Sequence, residues 1–166
     1  MRTTLDGFES TERRNADRSL VIRQRVRVAS PVVPFTEEGA QYLGHRYWRE
    51  VVGASRGLVR CRETSDQVEL TILGRGPTLL RFGGAEVAVG DEAVSCTYRI
   101  RGGVLSLGER GALVVSQVGR EEPELRVAVD DFFARLGGGV LYAVQRRAHL
   151  AVSRLYFRHL LADLPR

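Results

Sequence analysis

The spacing of apolar and polar residues changes period twice along the chain. Residues 20–29 alternate imperfectly between apolar and Arg-rich positions and carry β-branched side chains, which favours a strand. Thr36 is then typical of a helix N-cap, with Glu37 and Glu38 in the first turn. Apolar residues follow at helical spacing, so the pattern predicts an amphipathic helix that ends near Val52.

The middle of the chain has the period of strands. Short β-rich runs alternate with turn residues, as in an antiparallel meander. The predicted strands are residues 58–63, 67–73, 78–82, 86–89, 93–101, 104–107, 112–118 and 125–129.

The last segment is helical again, from about Leu136 to Leu164. It begins with a flexible Gly-rich stretch, and residues 140–164 then contain neither Gly nor Pro. At ~1.5 Å per residue these residues form a rod of ~37 Å. Because the helices and strands are segregated along the chain, we expect one α+β domain in residues 19–166, with an antiparallel sheet curved around this helix.

A helical wheel separates two faces of the C-terminal helix. Arg147, Arg154 and Arg158 form a solvent stripe, and hydrogen-bonding residues lie on the opposite face. These are Tyr142, Gln145, His149 and Tyr156, together with Val152. Buried polar groups need partners, so this face predicts either a cavity that holds a ligand or a filled core in which Tyr and His bond to the sheet. Both interpretations stay open, as does a chemical role for His149 as an acid or base.

Other polar residues occur inside apolar strands. Six of them face either the cavity or solvent, and solvent is favoured because such a sheet leaves one face wet. They are Glu69, Thr71, Ser95, Thr97, Ser116 and Gln117. The sequence has no GxSxG, HExxH or P-loop motif, and its three histidines lack metal-site spacing, so we expect neither metal nor cofactor.

The composition limits the classes of binding partner that we expect. The 166 residues include 25 basic ones, all Arg, against 20 acidic ones, for a net charge of +5. An Arg-only composition is typical of genomic base bias, and the dispersed Arg residues do not favour nucleic acid. Cys61 and Cys96 are isolated and predict reduced thiols, with a disulfide as the alternative.

The N-terminus and the hydropathy indicate a location. Residues 1–18 are polar and aperiodic, which predicts a flexible tail without the apolar segment of a secretory signal. No run approaches the ~18 apolar residues of a membrane span. A cytoplasmic protein is therefore expected, with its oligomeric state open.

The order of elements over residues 20–164 resembles the START-like (SRPBCC) superfamily. The segments that carry the resemblance are LVIRQRVRVASPVVPF, SCTYRIRGGVLSL and LYAVQRRAHLAVSRLYFRHLL. The resemblance implies a helix-grip fold with a hydrophobic pocket between the sheet and the long helix. Members often have one or two short helices after the first strand, whereas this chain has a single predicted helix carrying Tyr42, His45, Tyr47 and Trp48.

Three functions follow from this resemblance and these residues. The first is a binder of a small hydrophobic, lipid- or polyketide-like molecule, with Tyr142, Gln145, His149 and Tyr156 orienting the ligand and with Tyr47 and Trp48 at the mouth. The second is a polyketide cyclase- or dehydratase-like enzyme that uses the same pocket, with His149 moving protons. The third is a protein-interaction module with no ligand.

Overall fold

In a computed structural model that describes residues 7–135 and 140–163, the chain forms an open antiparallel sheet with two helices. The strands are β1 (Glu9–Arg14), β2 (Leu20–Arg27), β3 (Val59–Glu63), β4 (Gln67–Ile72), β5 (Thr78–Gly83), β6 (Glu86–Val89), β7 (Ala93–Gly102), β8 (Ala112–Val118) and β9 (Glu124–Phe132). The helices are α1 (Glu37–Ala54) and α2 (Val140–Ala162). The α+β prediction and the antiparallel pairing are confirmed.

Neighbouring strands of the sheet are consecutive in the sequence, with two exceptions. The order runs β1-β2-β9-β8-β7-β5-β4-β3, so the first predicted strand pairs with the last one, and β6 pairs with the first half of β7. Strand β7 alternates strictly: Val94, Cys96, Tyr98 and Ile100 are buried. Because alternate residues of a strand point to opposite faces of the sheet, these four side chains share the face that lies toward α1.

Helix α1 begins as its sequence predicts. The Thr36 side chain accepts a hydrogen bond from the Gly39 amide at 3.2 Å and so caps the helix. Gly44 gives the closest approach to the sheet, because a Cβ there would lie 2.2 Å from the Tyr98 hydroxyl oxygen and 2.9 Å from Cys96 Sγ. The missing side chain therefore lets α1 lie directly on β7.

Helix α2 has two unlike halves. In its C-terminal half Tyr156, Phe157 and Leu160 are buried, and Phe157 contacts Phe8 at a ring distance of 6.0 Å. In its N-terminal half the side chains from Tyr142 to His149 are half-buried or exposed. The first half therefore packs less tightly, while Arg147, Arg154 and Arg158 are exposed as the wheel predicts.

Two sequence predictions are wrong. Residues 9–14, expected to belong to a flexible tail, form β1 and pair with β2. Residues 104–107, expected to form a strand, instead bind through the amides of Val104 and Leu105 to the carbonyls of Thr78 and Leu79, with one isolated bridge from Ser106. Residues 1–6, Leu136, the glycines at 137–139 and Leu164 lie outside the described residues.

Candidate functional site

A cavity of about 460 Å³ lies between the sheet, α1 and the N-terminal half of α2. Its volume falls in the range of roughly 300–1,000 Å³ that small-molecule sites occupy. Most of its wall is apolar. The sheet and its loops contribute Ile22, Leu58, Val59, Leu70, Leu79, Leu80, Phe82, Ile100, Leu105, Leu113, Val129 and Phe132.

Helix α2 supplies four of its five predicted site residues. Tyr142, Gln145, His149 and Val152 line the cavity. Tyr156 is absent from the described lining, and its hydroxyl donates to the Leu43 carbonyl oxygen at 3.0 Å. Tyr156 therefore belongs to the filled core, which is the alternative that the sequence left open for this face.

Helix α1 supplies Tyr47 and Trp48. Both line the cavity, yet each side chain is only 3% exposed, so they form its inner wall and not the mouth that the sequence predicted. The Trp48 indole packs against Phe82 and Tyr98, with ring centroids 5.0 Å apart in each pair. The rim instead includes Leu58 and Val144, which are 55% and 56% exposed.

One hydrogen bond joins the two helices inside the wall. The Tyr47 hydroxyl oxygen lies 3.2 Å from His149 Nδ1. Two further polar atoms of α2, Gln145 Oε1 and His149 Nε2, are buried without a hydrogen-bond partner among the described residues, and Trp48 Nε1 is a third such atom in the wall. Buried polar atoms are normally paired, so the wall has unused hydrogen-bonding capacity.

Burial determines the protonation of these groups. It lowers the pKa of His149 to about 4, because an imidazolium would lose its hydration. It also raises the pKa of Tyr47 well above the ordinary value for tyrosine. Near neutral pH the Tyr47–His149 pair is therefore uncharged.

The one formally charged residue among the described lining residues is Arg146, which is already paired. Its Nε lies 2.6 Å from Glu12 Oε2. The Tyr142 hydroxyl donates to Glu12 Oε1 at 2.5 Å, so one carboxylate of β1 binds two side chains one turn apart on α2. The cavity wall therefore carries no uncompensated charge in its described part.

The sequence missed the sheet half of this wall. Strand alternation identifies which side of a strand is inward, but most inward residues are packed solid. Residues such as Leu80 and Leu113 border the cavity only because the first half of α2 stands away from them. That distance depends on tertiary packing, for which the sequence carries no local signal.

Two further features complete the candidate chemistry. Within residues 7–135 and 140–163, no three His, Cys, Asp or Glu side chains form a metal-binding group. Cys61 and Cys96 are free thiols, and burial raises the pKa of Cys61 to about 12. The thiolate, which is the reactive form, is therefore scarce at Cys61.

Comparison of the sequence with protein-family models and with curated proteins gives no match. Neither described helix has the combination of length and apolar content that crossing a membrane requires.

Proposed function

We propose that this chain is a START-like helix-grip protein that binds a small hydrophobic molecule between its sheet and α2. The observation that carries the proposal is the apolar cavity of about 460 Å³ in which Gln145 Oε1 and His149 Nε2 have no described partner. An apolar space with a few unpaired polar atoms is typical of ligand pockets.

The strand order supports the fold assignment. The strand before α1 pairs with the strand before α2, and the strands between them form a meander that starts at the far edge of the sheet. In a helix-grip arrangement the sheet curves around the long final helix, which here has 23 residues. Strand β1 adds an edge to that arrangement. Since a fold alone does not define a function, the cavity chemistry carries the functional proposal.

A cyclase- or dehydratase-like enzyme is the second candidate, favoured by the hydrogen bond between Tyr47 and His149. Efficient proton transfer needs groups whose pKa values lie near the working pH. A pKa of about 4 makes His149 a weak base, and the raised pKa of Tyr47 makes it a weak acid. These shifts favour the binding role over catalysis.

The single tryptophan offers a direct test, because Trp48 lines the cavity. The probe is N-phenyl-1-naphthylamine, an uncharged dye that accepts excitation energy from indole. Excitation of Trp48 should produce dye emission that saturates at one dye per chain. The variant Ala148→Phe should weaken this binding by about tenfold, because the added ring narrows the cavity beside α2.

Ala143→Phe is the matched control. Ala143 is an exposed residue of the same helix and lies outside the described lining, so this variant should bind the dye as the wild type does. The proposal fails if the dye does not bind, or if both alanine variants and the wild type bind it equally.

A further inference from the structure

The charges around the cavity restrict the kind of ligand it accepts. Arg146 is the one formally charged residue in the described lining, and Glu12 already neutralises it. An ionised ligand would leave water without finding a free counter-charge on these residues. Burial of an unpaired ion is far more costly than burial of a neutral polar group that gains a hydrogen bond.

The Tyr47 hydroxyl indicates which nitrogen of His149 carries the hydrogen. The hydroxyl has one hydrogen, and His149 Nδ1, 3.2 Å away, is the acceptor with which it forms a hydrogen bond. The Ser153 hydroxyl also lies beside the Tyr47 oxygen, but it lowers the pKa of Tyr47, as a donor to that oxygen does, and its position gives no well-formed hydrogen bond. If the hydroxyl donates to Nδ1, the neutral ring must carry its own hydrogen on Nε2. The opposite tautomer would leave the Tyr47 O–H with only Ser153 Oγ, which is not placed to form a hydrogen bond with it, and a buried donor without a well-formed hydrogen bond is rare. His149 therefore offers an N–H to the ligand.

Gln145 lies one helical turn before His149, so the two side chains are neighbours on one face of α2. Its Oε1 atom is buried without a described partner. An amide presents either an acceptor or donors, so it can bind a second polar atom close to the first one. The Trp48 ring is enclosed by Tyr47, Phe82 and Tyr98, which leaves Gln145 and His149 as the polar pair for a ligand.

We infer that the cavity selects an uncharged hydrophobic molecule whose carbonyl or hydroxyl oxygen accepts a hydrogen bond from His149 Nε2, with an adjacent polar atom bound by Gln145. This inference rests on the proposed binding function. It assigns the ligand class as neutral amides, ketones and alcohols with an aliphatic or aromatic body. Carboxylates and amines, which are ionised near neutral pH, are excluded.

The experiment measures displacement of N-phenyl-1-naphthylamine by three probes that share one alkyl chain: decanamide, decanoate and decylamine. At about pH 7.5 the first is neutral, the second is an anion and the third is a cation. Decanamide should displace the dye at a concentration about tenfold or more below that of either ion. Equal displacement by the three probes, or no displacement by decanamide, would overturn the inference.

Two variants test the named contacts. His149→Phe keeps a ring in the wall and removes the donor, so the affinity for decanamide should fall about tenfold relative to the affinity for the dye. Glu12→Gln removes the charge that neutralises Arg146 while its amide oxygen can still accept a hydrogen bond, so decanoate should improve by several-fold relative to decanamide. Unchanged selectivity in both variants would contradict the assignment of these residues.

The outcomes separate the two proposals. If Ala148→Phe weakens dye binding but decanamide is not preferred over the two ions, the binding function is retained and the ligand class is rejected. Absence of dye binding would reject both.

Discussion

Gln117 on β8 and Val33 in the loop before α1 bind each other through two hydrogen bonds. Gln117 Oε1 accepts from the Val33 amide at 3.0 Å, and its Nε2 donates to the Val33 carbonyl oxygen at 2.8 Å. Oε1 also accepts from the Val32 amide at 2.6 Å. The side-chain amide of Gln117 thus supplies the hydrogen bonds that a neighbouring strand would otherwise give this loop, and it holds the loop against the sheet.

Gln117→Leu should destabilise the protein by about 3 kcal/mol or more. The leucine suits the buried side of β8 but leaves the amides of Val32 and Val33 and one carbonyl without partners. Each buried group that loses its partner costs roughly 1–3 kcal/mol. Urea unfolding gives the free energy of unfolding from the midpoint at a constant slope. Gln41→Leu, at an exposed site of α1, should change it by less than about 0.5 kcal/mol. Equal effects of the two variants would show that the loop contact stabilises nothing.

Gln117 also shows a limit of the sequence argument. Solvent was the favoured environment for the polar residues inside strands, yet Gln117 is fully buried. Its alternation with Leu113 and Val115 already placed it on the inward side. The loop backbone that satisfies it lies more than 80 residues away in the sequence, and no local pattern indicates such a partner.

Most strands and both helices could be predicted because burial imposes a period on their sequences. Strand β1 could not, because it is an edge strand whose six residues, ESTERR, are all exposed. Without a buried side there is no alternation to detect. Residues 104–107 are the opposite case: their side chains suit a strand, but their amides bind carbonyls in a loop arrangement.

The candidate site was predictable on α2 and not elsewhere. The wheel groups His149 and Tyr156 on one face, and both are hydrogen-bonding residues. Only the position of α1 distinguishes them, because Leu43 offers Tyr156 a carbonyl while His149 lies beside the cavity. Helix position is a tertiary property, so this part of the site needed the structure.

Gly44→Ala should destabilise the protein by about 1–3 kcal/mol, because the new methyl group would overlap the Tyr98 hydroxyl and crowd Cys96. Gly53→Ala in the same helix is the matched control, since nothing lies within 4 Å of a Cβ at that position. Alanine there should stabilise the protein by about 0.5–1 kcal/mol through helix propensity. Thermal unfolding measures both shifts, and the same sign for the two variants would refute the close approach of α1 to β7.

Glu12→Ala should loosen the first turns of α2 while leaving global stability nearly unchanged. Glu12 binds Tyr142 and Arg146, and exposed ion pairs contribute about 0.2–1 kcal/mol. Amide hydrogen exchange should become faster between residues 142 and 150. Glu9→Ala is the control on the same strand, because Glu9 pairs with Arg25 of β2. Exchange in α2 that is the same in both variants would argue against a specific contact between β1 and α2.

Acid should destabilise the fold through His149. Burial lowers the pKa of His149 to about 4 in the folded protein, whereas an unfolded chain has the ordinary value of about 6.5. Above about pH 6.5 the ring is neutral in both states, so it contributes no pH dependence. As the pH falls from about 6.5 to 4, the unfolded chain binds a proton that the folded chain does not. The free energy of unfolding therefore decreases as the solution becomes more acidic.

The variant His149→Phe isolates this effect. Between about pH 7 and pH 5 the wild type should lose ~2 kcal/mol more of its free energy of unfolding than the variant, which has no imidazole to titrate. Ala143→Phe provides the control, since it places a ring at an exposed position of the same helix without removing a titratable group and should keep the full wild-type loss. Urea unfolding at a series of pH values measures all three proteins. Parallel curves for wild type and His149→Phe would mean that His149 is hydrated in the folded protein. The claim that the cavity wall is neutral and excludes water, on which the ligand class depends, would then be wrong.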